Sequence, residues 1–315
     1  MEQYTDNDLY SGDITSLLST RIVNEEKNIF PEEVAIETTT FCNLNCVMCF
    51  REKLTRKKTN MRWPLYIKLI EEIANKAKNS TRVWLCFAGE PLMGKDFVDR
   101  VIFAKSKGIA NVVINSNMCL MNSNLAEDVV KSGLNNIFVG LDATTADVYS
   151  KVRRGGVFER TVKNIIYYKE MLGKYGKPDQ EIVVQFIDMP INHHQRDDFI
   201  EFWRACDIKV KLRPYVTFLD TNDIKHDYKM SKVERLPCHW AMNILPVSAD
   251  GFSVWCGCDY DGKCITGDLN MSSIEEVWST AKKEQRLQQI NRQWDELPGF
   301  CRDCPDWISA YAKYE

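Results

Sequence analysis

The chain has 315 residues, 44% hydrophobic and 27% charged, the balance of an ordinary globular protein rather than of a disordered or collagen-like one. Its 41 basic and 44 acidic residues leave a formal charge of −3, no basic footprint for nucleic acid or an anionic membrane. No apolar run is long enough to span a bilayer. The departure from the ordinary is twelve cysteines beside four histidines. A chain of this length needs no disulfide framework, so the excess points to metal or redox chemistry with thiolates as the main ligands.

Residues 1–31 lack a strong period, and their polar, acidic start has no signal-peptide core. They read as an N-terminal extension. Short β-rich runs follow at 34–38, 82–87, 111–114, 136–139, 182–186 and 208–212, with helix-period stretches between them near 64–78, 95–107, 123–132, 157–172 and 195–206. Pro64 suits the first turn of one helix and Gly108 the end of another. Six strands with helical crossovers predict a parallel sheet with helices outside it, two units short of a complete eight-fold barrel. An incomplete (β/α)6 barrel and an open doubly wound sheet both fit the pattern. Residues 32–218 make up this unit.

Residues 219–315 form a smaller second module. A polar stretch from Asp220 to Lys232 leads into it, and Ala249-Asp250-Gly251 between two apolar runs predicts a hairpin. A helix near 273–291 and the pair Cys301, Cys304 close it.

Directly after the first strand lie Cys42, Cys46 and Cys49, spaced C-x3-C-x2-C. Structural zinc wants four protein ligands, and no fourth Cys or His is near. A cubane iron–sulfur cluster on three thiolates keeps one iron open for a small molecule. The loop also sits at the carboxyl end of a strand, where α/β folds place their chemistry.

On these residues the chain resembles the radical S-adenosylmethionine (SAM) enzymes over about residues 33–310. The resemblance implies a partial (β/α)6 barrel, a [4Fe–4S] cluster on Cys42, Cys46 and Cys49 as the catalytic centre, and SAM bound to its open iron. One electron then cleaves SAM to methionine and a 5′-deoxyadenosyl radical that takes hydrogen from the substrate. Ala88-Gly89-Glu90-Pro91 is similar to the family's Gly-Gly-Glu-Pro segment, which implies Gly89 and Glu90 at the SAM ammonium group. Asn115-Ser116-Asn117 stands where the family has Thr-Asn-Gly beside the SAM ribose, and Asn117 replaces a glycine. Gly140-Leu141-Asp142 with Arg153 resembles a Ser-Leu-Asp segment followed by the arginine that binds the SAM carboxylate. Gly140 lacks the serine hydroxyl, and Arg154 is an alternative to Arg153. Gln185 and Glu37, polar within strands, are candidates for the pore near SAM or substrate; Arg213 and Tyr215 are candidate substrate contacts.

Cys238, Cys256, Cys258, Cys264, Cys301 and Cys304 crowd the second module. Their layout resembles the SPASM and twitch auxiliary-cluster domains, the shorter twitch form fitting better because the chain runs only eleven residues past Cys304. The resemblance, including one to the twitch domain of the aminocyclitol (scyllo-inosamine) dehydrogenase of butirosin biosynthesis, implies Cys238, Cys256, Cys301 and Cys304 as ligands of a second [4Fe–4S] cluster. Cys258 and Cys264 are left over and either could replace Cys256, Cys258 ahead of Cys264; spacing alone also allows a zinc ribbon. Cys86, Cys119 and Cys206 stand alone, and a lone cysteine usually packs as a small hydrophobe.

The expected function is therefore a radical SAM oxidoreductase that dehydrogenates a sugar, aminosugar or aminocyclitol. Its expected partners are that small molecule and a reductant such as flavodoxin or ferredoxin, with no nucleic acid or membrane. Oxygen-labile clusters imply a cytoplasmic, anaerobic or microaerobic setting. The alternatives are a maturase or epimerase acting on a ribosomal precursor peptide, for which some thirty residues ahead of the barrel are too few to make a leader-binding domain, and a non-catalytic iron–sulfur or zinc protein.

Overall fold

The computed structural model describes residues 28–213, 215–216, 218 and 235–307. Most of the N-terminal extension, the polar stretch Asp220 to Lys232 and the expected boundary at 218/219 therefore lie outside or at the edge of the described residues.

Seven parallel strands form the frame: β1 (Glu33–Ile36), β2 (Arg82–Trp84), β3 (Asn111–Ser116), β4 (Asn136–Gly140), β5 (Glu181–Ile187), β6 (Lys209–Arg213) and β7 (Ile244–Val247). With β8 (Phe252–Val254) and β9 (Ile265–Asp268) added antiparallel, the sheet runs β6-β5-β4-β3-β2-β1-β7-β8-β9. The six expected strands are all present as a curved, incomplete barrel. The seventh was not expected. Ile244-Leu245-Pro246-Val247, read as one arm of a hairpin, also pairs parallel with β1 along its whole length, so the second module continues the sheet of the first.

Alternation divides each strand between two faces. Val34, Ile36, Val83, Val112, Ile114, Ile137, Val139, Ile182, Val184 and Phe186 enter one apolar core with the helices outside. The residues between them, among them Trp84, Asn115, Phe138, Gln185, Lys211 and Arg213, face the lumen. The helices α1 (Trp63–Ala77), α2 (Phe97–Ser106), α3 (Ser123–Ser132), α5 (Phe158–Tyr175) and α6 (Arg196–Ala205) match the expected stretches within a few residues. In α1 the buried set Leu65, Tyr66, Leu69, Ile70 and Ile73 follows the helical period. The Asn122 side chain caps α3 by accepting from Leu125 N, and Gly133 ends it at φ 86°. A short α4 (Ala146–Val152), N-capped by Thr145, lacked the length to show as a period. In the second module come α7 (His239–Asn243), α8 (Ile274–Ser279), α9 (Ala281–Ile290) and α10 (Gly299–Arg302). The single helix expected at 273–291 breaks at Thr280, whose φ −113° and ψ −102° are not helical.

Two devices join the modules. On the outside, Lys68 of α1 donates to the carbonyls of Leu269 and Ser272, and Glu72 accepts from the first amides of α8, Ile274 N at 2.8 Å and Glu275 N at 3.0 Å. A carboxylate there satisfies otherwise unpartnered amides and complements the helix dipole. At the strand ends, Glu37 is fully buried and pairs bidentately with Arg56 at 2.7 and 2.5 Å. Its carboxylate also accepts from Ala88 N at 3.2 Å and Ala249 N at 2.9 Å. Glu37 is thus a structural tie between three loops, which corrects its expected role in the pore. Glu37→Ala strands a buried guanidinium and two amides, and should cost about 3–5 kcal/mol of unfolding free energy, measured by chemical denaturation against Glu37→Gln.

Candidate active site

The loop after β1 turns back on itself before α1. Thr40 N donates to Thr59 O, Met61 N to Thr38 O, and Thr39 Oγ1 to Asn60 Oδ1 at 2.6 Å. Cys42, Cys46 and Cys49 lie within this closed loop, with Cys49 N donating to Cys46 O at 3.0 Å. Among the described residues, the one cysteine, histidine or carboxylate group with its ligand atoms all within 4.8 Å of each other is Cys258, Cys304 and Asp306. Cys42, Cys46 and Cys49 are therefore set wider than one tetrahedral ion with bonds of ~2.3 Å needs. Three thiols that converge at a wider spacing fit a multi-iron cluster, in which each meets a different iron. Burial raises all three thiols above the usual range, Cys49 to about 12.

The Gly-Glu-Pro loop is pressed onto this one. A Cβ on Gly89 would lie 2.1 Å from Thr39 O and 2.8 Å from Phe41 O, so only glycine fits. Glu90 N donates to Phe41 O at 2.8 Å, and Arg51 Nη1 ties Thr40 O at 2.6 Å to Ala88 O at 3.0 Å. The Glu90 side chain is buried. It accepts from Ser116 Oγ at 2.8 Å, Asn117 N at 2.7 Å and Leu92 N at 3.2 Å. Burial raises its pKa against the pull of those donors. Glu90 therefore organises the end of β3, a role that the expected contact with an ammonium group did not include.

Asn117 Nδ2 donates to Asn43 Oδ1 at 3.0 Å and lies 3.9 Å from Cys42 Sγ. The positive φ at this turn falls on the residue after Asn117, Met118, at 57°. Asn115 N donates to Cys86 Sγ at 3.2 Å, while its Oδ1 is buried without a hydrogen-bond partner. A buried acceptor of this kind calls for a donor from a ligand. The region fits a polar cofactor beside a thiolate-held cluster.

Arg154 is exposed and Arg153 is half-buried beside the cysteine loop. Its Nε donates to Asp142 Oδ2 at 2.7 Å, its Nη2 pairs with the same carboxylate, and its Nη1 reaches Cys46 Sγ at 3.6 Å. Burial opposes its charge, but Asp142 and Cys46 hold it protonated. A Cβ on Gly140 would lie 2.2 Å from Arg153 Nη2. In this arrangement the guanidinium lies where a side chain at position 140 would begin.

Gln185 is buried on β5 and accepts from Arg213 Nη1 at 3.3 Å across the lumen face. Tyr215 packs into the apolar core. Cys119 is buried within 3.4 Å of the Tyr149 and Thr161 hydroxyls, in keeping with a packing role. Cys206 packs partly buried against the core.

In the second module, Cys238, Cys256, Cys258, Cys301 and Cys304 gather behind α9. Cys258 interacts with both Cys256 and Cys304, and its Sγ lies 3.7 Å from Asp306 Oδ2. Five thiols gather where four were expected, so Cys256 and Cys258 are both present. Cys264 sits aside, its amide donating to Asp259. Lys282, Gln285, Arg286 and Gln289 of α9, spaced on one helical side, are all buried; Lys282 and Gln289 neighbour this cluster, while Arg286 lies over the Trp278 ring. Gln289 accepts from Cys238 N at 3.1 Å and donates to Cys301 Sγ at 3.6 Å. Lys282 donates to Trp255 O at 2.7 Å and to Gln285, with burial pulling its pKa down to about 7. That stripe, spaced i, i+3, i+4, i+7, was readable in the sequence as a helix face with an unusual polar burden. N–H donors and a buried cation beside thiolates are the surroundings that tune an iron–sulfur cluster.

A profile of the Radical SAM superfamily matches residues 36–203. A probable GTP 3′,8-cyclase of Methanocaldococcus jannaschii is 31% identical over 204 residues, 63% of this chain and 63% of that protein. The match thus spans under two thirds of either length. Among solved structures, BtrN in complex with AdoMet and 2-DOIA has a TM-score of 0.58 at 14% identity, covering 87% of this chain and 92% of that one. SuiB of Streptococcus suis bound to S-adenosylmethionine has a TM-score of 0.68 at 15% identity, covering 98% and 79%. The structural likenesses are of fold. The expected likeness to a dehydrogenase is not carried by the curated relative, which is named a cyclase. No helix among the described residues is long and apolar enough to cross a membrane.

In cluster-free protein at pH 8, a Cys49 thiol near 12 is thiolate in roughly one molecule in ten thousand. Iodoacetamide should label it far more slowly than a free thiol in denaturant, read by peptide mass spectrometry.

Proposed function

We propose, from the premise that the chain belongs to the radical SAM superfamily, that it oxidises a small polar substrate by two electrons at one carbon, as in dehydrogenation of a sugar, aminosugar or aminocyclitol. The observation that carries this reading is the pairing of two thiol groups on one continuous sheet. Cys42, Cys46 and Cys49 lie at the mouth of the barrel, and Cys238, Cys256, Cys258, Cys301 and Cys304 lie in the module that extends it.

When bound, a [4Fe–4S] cluster and SAM supply a 5′-deoxyadenosyl radical, the hydrogen-abstracting species of the family. The protein's own part is to hold and shield. Cys42, Cys46 and Cys49 would hold the cluster, and Arg153, fixed by Asp142, offers a guanidinium suited to a carboxylate. Glu90 sets Ser116 and Asn117, and Asn115 offers a buried acceptor. The lumen of the barrel, lined by Trp84, Phe138 and Gln185, would exclude water around the substrate.

In the second module, Cys238, Cys256, Cys301 and Cys304 would hold a four-thiolate cluster whose chemistry is electron transfer. Gln289 and Lys282 supply its polar surroundings, and Cys258 with Asp306 stands beside it. A flavodoxin or ferredoxin is the proposed electron donor to the enzyme. A second reading, bond formation within one substrate, is favoured by the cyclase relative. Product mass separates the two, since dehydrogenation removes two hydrogens.

Anaerobic reconstitution should give about eight irons per chain, falling to about four in the Cys42/Cys46/Cys49 triple-alanine protein, as two four-iron clusters require. About four falling to none would remove the second cluster and with it the oxidative reading.

A further inference from the structure

The second thiol group is unevenly built. On one side Gln289 of α9 ties two of its members together, accepting from Cys238 N at 3.1 Å and donating to Cys301 Sγ at 3.6 Å. On the other side Cys258 interacts with both Cys256 and Cys304. Its Sγ, the Cys304 Sγ and a carboxylate oxygen of Asp306 all lie within 4.8 Å of one another, a group to which Cys256 does not belong. A cubane held by thiolates alone takes one cysteine at each iron, four in all. With Cys238 and Cys301 on two irons, three thiols remain for the other two.

The fold holds the surplus thiol in its place. Cys256-Gly257-Cys258 lies in a turn closed by Asp259 N, which donates to Cys256 O at 3.2 Å. The buried Asp259 carboxylate accepts from Trp255 N at 3.2 Å, Lys263 N at 2.8 Å and Cys264 N at 3.0 Å, so both ends of the turn are fixed. From α9, Lys282 Nζ and Gln285 Nε2 reach Trp255 O at 2.7 and 3.1 Å. A Cβ on Gly257 would lie 2.8 Å from the Trp240 ring, so the turn sits against α7, which begins directly after Cys238. The Cys258 thiol donates to Asp306 Oδ2 at 3.7 Å, and the Asp306 carboxylate also accepts from Phe218 N at 2.9 Å. That contact gives Cys258 a partner of its own while Cys256 and Cys304 serve as ligands.

We propose that Cys258 is a reserve ligand of the second cluster, able to take the corner of either Cys256 or Cys304 when that thiolate is released. Its contacts are with those two cysteines, so the role does not extend to Cys238 and Cys301. The exchange is redox-neutral. The Cys258 thiol gives its proton to water as its sulfur binds iron, and the released thiolate takes a proton up. A thiolate is the softer donor and suits an iron–sulfur cluster better than the Asp306 carboxylate does, so the sulfur is the replacement. The role rests on the reading of a second cluster in this module.

The test uses full-length, anaerobically reconstituted protein with Cys42, Cys46 and Cys49 changed to alanine, so that the second cluster alone is counted. An iron without a protein ligand is the one a cubane gives up first on mild ferricyanide oxidation, leaving a three-iron form that paramagnetic resonance detects. The parent and its Cys256→Ala, Cys304→Ala and Cys258→Ala derivatives should each keep about four irons through that treatment. Cys301→Ala, and Cys256→Ala or Cys304→Ala combined with Cys258→Ala, should fall to about three or fewer. Single changes at Cys256 or Cys304 that behave like their doubles, or loss of iron by Cys258→Ala alone, overturn the proposal. Thermal midpoints confirm folding. If the Cys256 or Cys304 variants do not fold, iron loss to bipyridyl decides: Cys258→Ala should release iron about tenfold faster than the parent, the scale on which changes around a metal alter its retention, and equal rates overturn the role. A parent that holds no iron removes the second cluster and the reserve role together. A parent that holds its cluster while the singles match the doubles removes the reserve role alone.

Discussion

The buried pair of Glu37 and Arg56 is the constraint on which the rest of the site depends. A carboxylate removed wholly from water requires full satisfaction, and Glu37 obtains it through four hydrogen bonds from three partners. Arg56 contributes two bonds, Ala88 N brings in the Gly-Glu-Pro loop, and Ala249 N brings in the second module. Arg56 then continues to Tyr260 O at 2.6 Å, and Thr55 reaches Asp261 through its amide and its hydroxyl. The loop that carries Cys42, Cys46 and Cys49 is thereby fastened at its far end to the segment between Cys258 and Cys264. The same seam is closed by apolar contact, since Phe50, adjacent to Cys49, stacks on Tyr260 with ring centres 4.1 Å apart. Neither thiol group can be displaced without disturbing that seam.

The continuous sheet has a similar consequence. Because β7 pairs with β1 in parallel and Glu37 N donates to Val247 O at 2.9 Å, the second module completes the edge that an incomplete barrel would leave beside its first strand. An uncovered edge is a site for unwanted pairing. The added strand covers it and places the second thiol group at a fixed position relative to the first. Two modules, separate in composition, act as one frame.

Much of this was legible in the sequence because its signals were local. Strand alternation, helix periods and the C-x3-C-x2-C spacing each depend on residues a few positions apart, and five barrel helices and six strands appear where those patterns put them. What was hidden depended on distant partners. Glu37 looked like a polar residue in a strand because Arg56 and Ala249 are invisible to any local pattern. The break at Thr280 was masked by good helix formers on either side. The role of β7 was missed because its hairpin turn, a strong short-range signal, concealed a parallel pairing more than two hundred residues away. Gly140 seemed a loss of a hydroxyl, and only the position of Arg153 shows it to be a gain of space.

That exchange bears on how the site works. A Cβ at Gly140 would come within 2.2 Å of Arg153 Nη2, so any side chain there requires the guanidinium to shift. With glycine the arginine lies flat against β4, held by Asp142, whose own backbone sits at φ 60° and whose Oδ1 accepts from Ile187 N at 2.7 Å. The arginine is therefore anchored from the end of β5 through one buried carboxylate, and its reach to Cys46 Sγ follows from that anchor. Positive charge fixed beside a thiol favours the thiolate, so the residue that would meet a ligand's carboxylate also counters the burial that raises Cys46. One guanidinium, seated beside Gly140, thus stands between the Asp142 carboxylate and the Cys46 thiol.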